Sequence, residues 1–272
     1  MIRDPVAVLL RIYLALTLLF VFAPVLSLTL MSFQADKIQS FPIHNFSAKW
    51  YGEAWSNRNF REGFFTSLKV AALAAPIATT LGFVSAHVLV RYRPRRAMLY
   101  IALVSVPALV PLLLSGMALL MYYQQIHLYG SVWAIVAAHV CYCSPFALGL
   151  IRNSYESLNI EVEQAAQNLG ASAERIVFQI VIPQLWPALV SAAAISFLLS
   201  WDEFILAWFV GGFTKTLPTV IYGTLGTTFD PSVNALGLMI LLLSCSLLVT
   251  SLLMQHLMTR TRRAPQQTGL RN

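Results

Sequence analysis

Trp201-Asp202-Glu203-Phe204 sets the chain's one adjacent pair of acidic residues between two aromatic rings, inside an apolar region. An ionisable side chain at membrane depth is expensive to hold there, so its presence points to function. Carboxylates supply charge and aromatic faces supply a quadrupole, and both attract cations. These four residues are therefore candidates for lining the pathway of a cation, an ammonium group above all. The competing reading makes Asp202 and Glu203 the outer cap of a helix near water, or partners of Lys69 or Lys215. Catalytic chemistry finds less support. Ser, His and Asp all occur, but no Gly-x-Ser-x-Gly elbow accompanies them. No Gly-x-x-x-x-Gly-Lys-Ser/Thr phosphate loop is present, so no ATP hydrolysis is expected in this chain. His87, His139 and His256 stand singly in apolar stretches, which suits packing or interhelical hydrogen bonds, and they are too scattered for a metal site. The 3 Cys give neither a disulfide framework nor zinc-ligand spacing.

The elements that must carry these residues follow from hydropathy. Of 272 residues, 58% are apolar and 11% charged, against roughly a quarter charged in an ordinary soluble domain. A water-soluble globule is excluded. The net charge of +7 does not indicate nucleic acid, because the basic residues gather at the ends of apolar segments and form no basic domain interleaved with aromatics. A helix needs about 20 mostly apolar residues to cross the hydrocarbon. Stretches free of charge, with the 97–151 run divided at Gln124-Gln125-Ile126-His127 and Gly130, predict six spans at 9–32, 66–90, 97–122, 130–151, 187–210 and 235–258. The first follows Arg3 and Arg11 but is longer than a signal-peptide core and lacks a small-x-small cleavage site, so it reads as a retained anchor. Pro76, Pro107, Pro111 and Pro145 lie within spans, where proline interrupts the backbone ladder and creates kinks; Pro107 and Pro111 are placed to bend the third.

Six spans put both termini on one side, and the basic residues say which. Of 18 Lys and Arg, one set of flanks holds Arg3, Arg11, Arg91, Arg93, Arg95, Arg96, Arg152, Arg175, Arg260, Arg262, Arg263 and Arg271. The other holds Lys37, Lys49, Arg58, Arg61, Lys69 and Lys215. The positive-inside rule then places residues 1–8, the 91–96 loop, the 152–186 segment and the polar tail 259–272 in the cytoplasm, the tail reading as disordered. The 33–65 and 211–234 loops face outward. Trp50, Tyr51, Trp55 and Phe60 among Lys49, Glu53, Arg58 and Arg61 give the first of these an interface-like composition, which a membrane aromatic belt would share.

The cytoplasmic 152–186 segment is helical in pattern yet too charged to cross. Asn159 is placed to cap a helix whose first turn carries Glu161 and Glu163, favourable at the positive end of the helix dipole. Ala165 and Ala166 permit close approach, and Gly170 is a natural stop. Ser172 caps a second helix that Pro183 is expected to end. On these grounds alone the element could be an amphipathic connector resting on headgroups. The pattern Gln164-Ala165-Ala166, Gly170, Ile180, Ile182-Pro183, with Pro187 beyond, resembles the EAA loop of binding-protein-dependent ABC importer permeases. Gln164 stands where that family usually has Glu, and Ile182 where it has Leu. Glu163 lies about 100 degrees around the helix from Gln164 and is no obvious substitute. Residues 197–235, with Ser200-Trp201-Asp202-Glu203-Phe204, Thr216-Leu217-Pro218, Ile221-Tyr222, Pro231 and Asn234-Ala235, are similar to the spermidine/putrescine, PotC-like branch.

The resemblance implies an all-α membrane protein of six transmembrane helices with the MetI-like fold of type I ABC importer permeases, in a bacterial inner membrane. It implies a coupling surface at Glu161, Glu163, Gln164, Ala165, Ala166, Gly170, Ile180 and Pro183 that docks on a cytoplasmic ATPase dimer, which binds the ATP and Mg. It further implies a second, related permease subunit, a periplasmic substrate-binding protein and alternating access. A polyamine or related small amine is the expected cargo. Import of an amino acid derivative, a phosphonate or iron is the alternative within the class, and a stand-alone secondary transporter or channel the alternative outside it.

Overall fold

The computed structural model describes residues 5–38, 42–226 and 230–263. Of the basic residues used for orientation, Arg3 and Arg271 lie outside them, as does the tail from 264 onward; the last helix itself runs past Thr259 to Arg263. Every regular element among the described residues is helical: α1 Pro5–Ser32, α2 Lys49–Ser56, α3 Arg58–His87, α4 Ala97–Leu109, α5 Leu112–Gln125, α6 Val132–Glu156, α7 Ile160–Asn168, α8 Ala173–Ile176, α9 Ile182–Asp202, α10 Ile205–Val210, α11 Leu217–Leu225 and α12 Ser232–Arg263. Single π turns continue α3 over Val88–Tyr92 and join α8 to α9 over Val177–Val181. Among the described residues, five helical paths are long and apolar enough to cross a membrane, and a sixth exists if α4 and α5 count as one bent span.

The chain divides into two compact units, Met1–Arg61 with Ile221–Leu243 and Glu62–Val220 with Ser244–Asn272. In the first, α1 is apolar on all sides and largely exposed, as suits a helix surrounded by lipid or neighbouring helices. α12 approaches it at Gly237, where a Cβ would stand 3.0 Å from Leu28. The loop after α1 is tied down by its own polar groups. Trp50 donates its indole N–H to the Gln34 carbonyl at 2.6 Å, and the Tyr51 and Ser32 hydroxyls lie 2.7 Å apart. Of the four aromatics that gave this loop its interface-like composition, Trp50 and Phe60 are buried and Trp55 is exposed.

In the second unit α6 is the central helix. Its Ala134, Ile135, Val136 and Ala138 pack with Val70 of α3 and with Leu206, Ala207 and Val210 of α10. Its other half sets Ala147, Leu148, Ile151 and Tyr155 against Ala86, Leu89, Val181, Leu185 and Ala192. Small side chains let helices in a membrane approach closely, and dispersion contacts then replace the hydrophobic drive that lipid removes. Gly82 of α3 shows how close: a Cβ there would lie 2.9 Å from Ala147.

Two expected spans need correction. Residues 97–122 are not one helix, because α4 and α5 meet at 99°. Proline disfavours the helical region for the residue before it, and Val110, ahead of Pro111, sits at φ −77, ψ 135. The fifth span does not run over 187–210. Its helical path begins at Ala173, passes Pro183 and Pro187, and ends at Asp202, with α10 a separate piece beyond. Pro183 therefore does not end the helix. It falls in the first turn of α9, directly after the π turn, whose wider ring accommodates a residue that cannot donate to the ladder.

Candidate coupling loop and pathway residues

α7 is closed at both ends by local chemistry. Asn159 Oδ1 accepts the Glu161 N–H at 2.9 Å, and Glu161 and Glu163 occupy the first turn. At the other end Gly170, at φ +85, takes the left-handed conformation that a residue with a Cβ adopts only under strain. Its N–H reaches the Gln167 carbonyl at 2.9 Å and the Ala171 N–H reaches Ala166 at 3.0 Å, the paired bonds of a Schellman termination. Ser172 Oγ then accepts the Arg175 N–H at 3.3 Å to start α8.

The implied coupling residues divide by direction. Glu161, Gln164, Ala165 and Gly170 are exposed, Ala166 is half-buried, and α7 has no fully buried residue. Ile180 lies half-buried in the π turn, and Pro183 is exposed at the start of α9. Glu163 turns inward instead. Arg91 Nε lies 3.0 and 2.9 Å from its two carboxylate oxygens, and Arg91 Nη2 donates to Oε1. The guanidinium stands over the Tyr155 ring at 4.6 Å, and the Tyr155 hydroxyl is 2.7 Å from His87 Nδ1. A cleft of about 290 Å³ opens among Arg91, Tyr92, Glu163, Gln164, Gln167 and Ile176. Sequence reasoning counted Arg91 only as a topology charge. The available signal was the 100-degree offset between Glu163 and Gln164, which puts the two on different faces.

The candidate pathway residues also divide. α9 ends at Asp202, Glu203 is extended at φ −71, ψ 121, and α10 starts two residues later. Glu203 is buried; its Oε1 accepts the Leu206 N–H at 3.0 Å and its Oε2 the Ala207 N–H at 3.1 Å. The carboxylate thus satisfies two amides that the start of α10 leaves open. His139 Nε2 lies 3.3 Å from Glu203 Oε2, and His139 Nδ1 is 2.8 Å from the Ser200 hydroxyl. Neither Lys69 nor Lys215 is a partner of Glu203 among the described residues. Trp201 is buried, with Phe64 edge-on at 5.4 Å and Phe197 stacked at 6.2 Å. Asp202 is exposed, and half-buried Phe204 packs against exposed Trp208 at 5.7 Å. The geometry therefore presents Asp202 and Phe204 outward, and builds Trp201 and Glu203 into the packing. His87 and His139 make interhelical contacts; the side chain of His256 lies outside the described residues. No three His, Cys, Asp or Glu side chains converge as a metal-ligand set among the described residues.

Known proteins resemble this chain in sequence and in fold. Residues 78–263 match the family described as binding-protein-dependent transport system inner membrane component. The putrescine transport system permease protein PotI of Escherichia coli is 31% identical over 230 residues, covering 82% of this chain and 82% of that protein. The spermidine/putrescine transport system permease protein PotC of Haemophilus influenzae is 29% identical over 233 residues, covering 85% and 90%. Among solved structures, a bacterial ABC transporter involved in import of the acidic polysaccharide alginate superposes with a TM-score of 0.72 at 15% identity, over 92% of this chain and 95% of that one. The inward-facing MetNI methionine ABC transporter gives 0.61 at 18% identity, over 72% and 94%. Two such unlike cargoes on one backbone show that the fold itself does not choose the cargo. The chain belongs to the family of binding-protein-dependent transport system inner membrane components, with the fold of ABC importer permeases.

Proposed function

We propose that this chain is a transmembrane permease subunit importing a polyamine or related small amine by alternating access. Its likeness to permeases named for putrescine and spermidine, over more than four-fifths of the chain, carries the cargo reading. Asp202, exposed beside Phe204 at the break between α9 and α10, supplies the carboxylate and aromatic face that an ammonium group would meet. Helix breaks are where transporters place such sites, since irregular backbone is tolerated only where it lines a cavity or is packed in protein.

The remaining parts follow from the chemistry this chain lacks. ATP and Mg belong to a partner ATPase dimer that α7 meets through Glu161, Gln164, Ala165, Ala166 and the Gly170 turn, with Ile180 and Pro183 continuing the lever into α9. A second related permease completes the pathway and a periplasmic binding protein delivers cargo. The twelve basic residues of one set of flanks support a cytoplasmic side for both termini and α7.

Uptake of labelled spermidine and putrescine into vesicles holding the four components, with and without internal ATP, tests the reading. Accumulation that needs both ATP and the binding protein is the expected result. ATP hydrolysis without amine uptake would reject the cargo and keep the importer. Uptake driven by an ion gradient without the ATPase would instead indicate a stand-alone transporter.

A further inference from the structure

Arg91 belongs to no motif, yet it is the residue that holds α7 to the membrane-spanning helices. We propose that the Arg91–Glu163 pair is the clamp through which movement of α7 is delivered to α3 and α6, which makes Arg91 a positioning residue for transport; this rests on the importer reading above. Three observations carry it. First, α7 has no buried residue, and short turns at Ser157–Asn159 and Gly170–Ser172 join it to its neighbours in sequence. Such turns absorb a displacement in a few backbone dihedrals, so a push on α7 needs a lateral tie to reach the bundle. Second, the tie is the forked kind. The Arg91 guanidinium meets both Glu163 oxygens, and the two side chains are only 13% and 14% exposed, where water screens them little. Third, Arg91 is itself braced, over the Tyr155 ring on α6, whose hydroxyl is in turn held by His87 on α3. The α3 path is thus tied once to α7, through Arg91, and twice to α6, through Arg91 and His87 on Tyr155. The π turn Val88–Tyr92 helps set these ties, because its inserted residue changes the direction in which Arg91 leaves the helix. One consequence is that Glu163 is spent inside the subunit, leaving Glu161 as the outward carboxylate of α7.

The test is made in vesicles holding the whole complex. Arg91→Glu and Glu163→Arg should each lower the maximal uptake rate by about tenfold and leave cargo half-saturation within about twofold, with the ATPase still co-purifying with the complex. The double variant, with the charges exchanged, should recover most of the rate. Single variants that transport like the parent, a double variant no better than either single, or a loss confined to half-saturation would each overturn the clamp. If Arg91→Glu fails to reach the membrane, the neutral cycle of Arg91→Gln and Glu163→Gln serves instead, and strictly additive effects in it would overturn the proposal. A parent complex that hydrolyses ATP on addition of the binding protein but takes up no amine would count against the cargo alone. In that case the clamp is read from binding-protein-stimulated hydrolysis, with the same loss in the single variants and the same recovery in the double expected, and their absence overturning it.

Discussion

Glu203 and His139 meet across α6 and the α9–α10 break, with 3.3 Å between Oε2 and Nε2, while the same carboxylate receives the amides of Leu206 and Ala207. The acidic pair that looked alike in sequence is therefore two different residues in space: Glu203 holds the break together, and Asp202 faces out of it.

That division makes stability and transport separable. Glu203→Ala removes the acceptor from two buried amides, and each unmet group costs about 1–3 kcal/mol. The thermal midpoint of the purified protein in detergent should fall clearly, and Glu203→Gln, which keeps one acceptor oxygen, should fall less. Equal midpoints for Glu203→Ala and the parent would remove the capping role.

Asp202→Asn should do the reverse. It leaves the midpoint near that of the parent and raises the half-saturation for amine uptake severalfold, because a cation loses its carboxylate while the packing is untouched. The double variant with Glu203→Gln should reduce cation uptake more than complex assembly. Unchanged uptake kinetics in Asp202→Asn would take this residue out of the pathway.

At Gly170 the backbone requires φ +85, although a Cβ would meet nothing within 4 Å. Gly170→Ala should weaken the turn by about 1 kcal/mol through conformation alone. Gly170→Asp adds charge at the docking face, so it should leave the protein in the membrane and lower ATPase binding. Co-purification of the ATPase measures this, and undiminished binding together with normal uptake would defeat the coupling assignment.

Gly82 tests the packing of α3 on α6. Gly82→Leu forces a side chain into the backbone of Ala147 and should destabilise the fold by about 1–3 kcal/mol or more, as overpacking does. Gly149, where a Cβ meets nothing within 4 Å, provides the contrast: Gly149→Ala should be tolerated. The measurement is the fraction of each variant that remains monodisperse after heating.

Hydropathy and end signals revealed much of this architecture, because the features concerned are local. Asn159, Gly170 and Ser172 act through amides within a few residues, so their types announced where α7 begins and ends and where α8 begins. Pro111 marked a bend but not its 99° size, and α5 beyond that bend packs on α10, which comes from far along the chain. Pro183 was misread because a one-dimensional pattern does not reveal that a π turn precedes it. The inward turn of Glu163 toward Arg91 spans 72 residues of sequence, and Glu203 meets His139 of another helix. Single-chain spacing is blind to such pairs.

The self-contained ends of α7 bear on how a multi-subunit machine is put together. Asn159 accepts the Glu161 amide at one end and the Gly170 turn pairs the Gln167 and Ala166 carbonyls at the other, all within this chain. If α7 docks as proposed, its end turns are set within its own chain and need no other subunit to close them. On that reading no end of α7 has to be ordered at the moment of contact, which spares association part of its entropic cost and leaves its rate to diffusion and orientation.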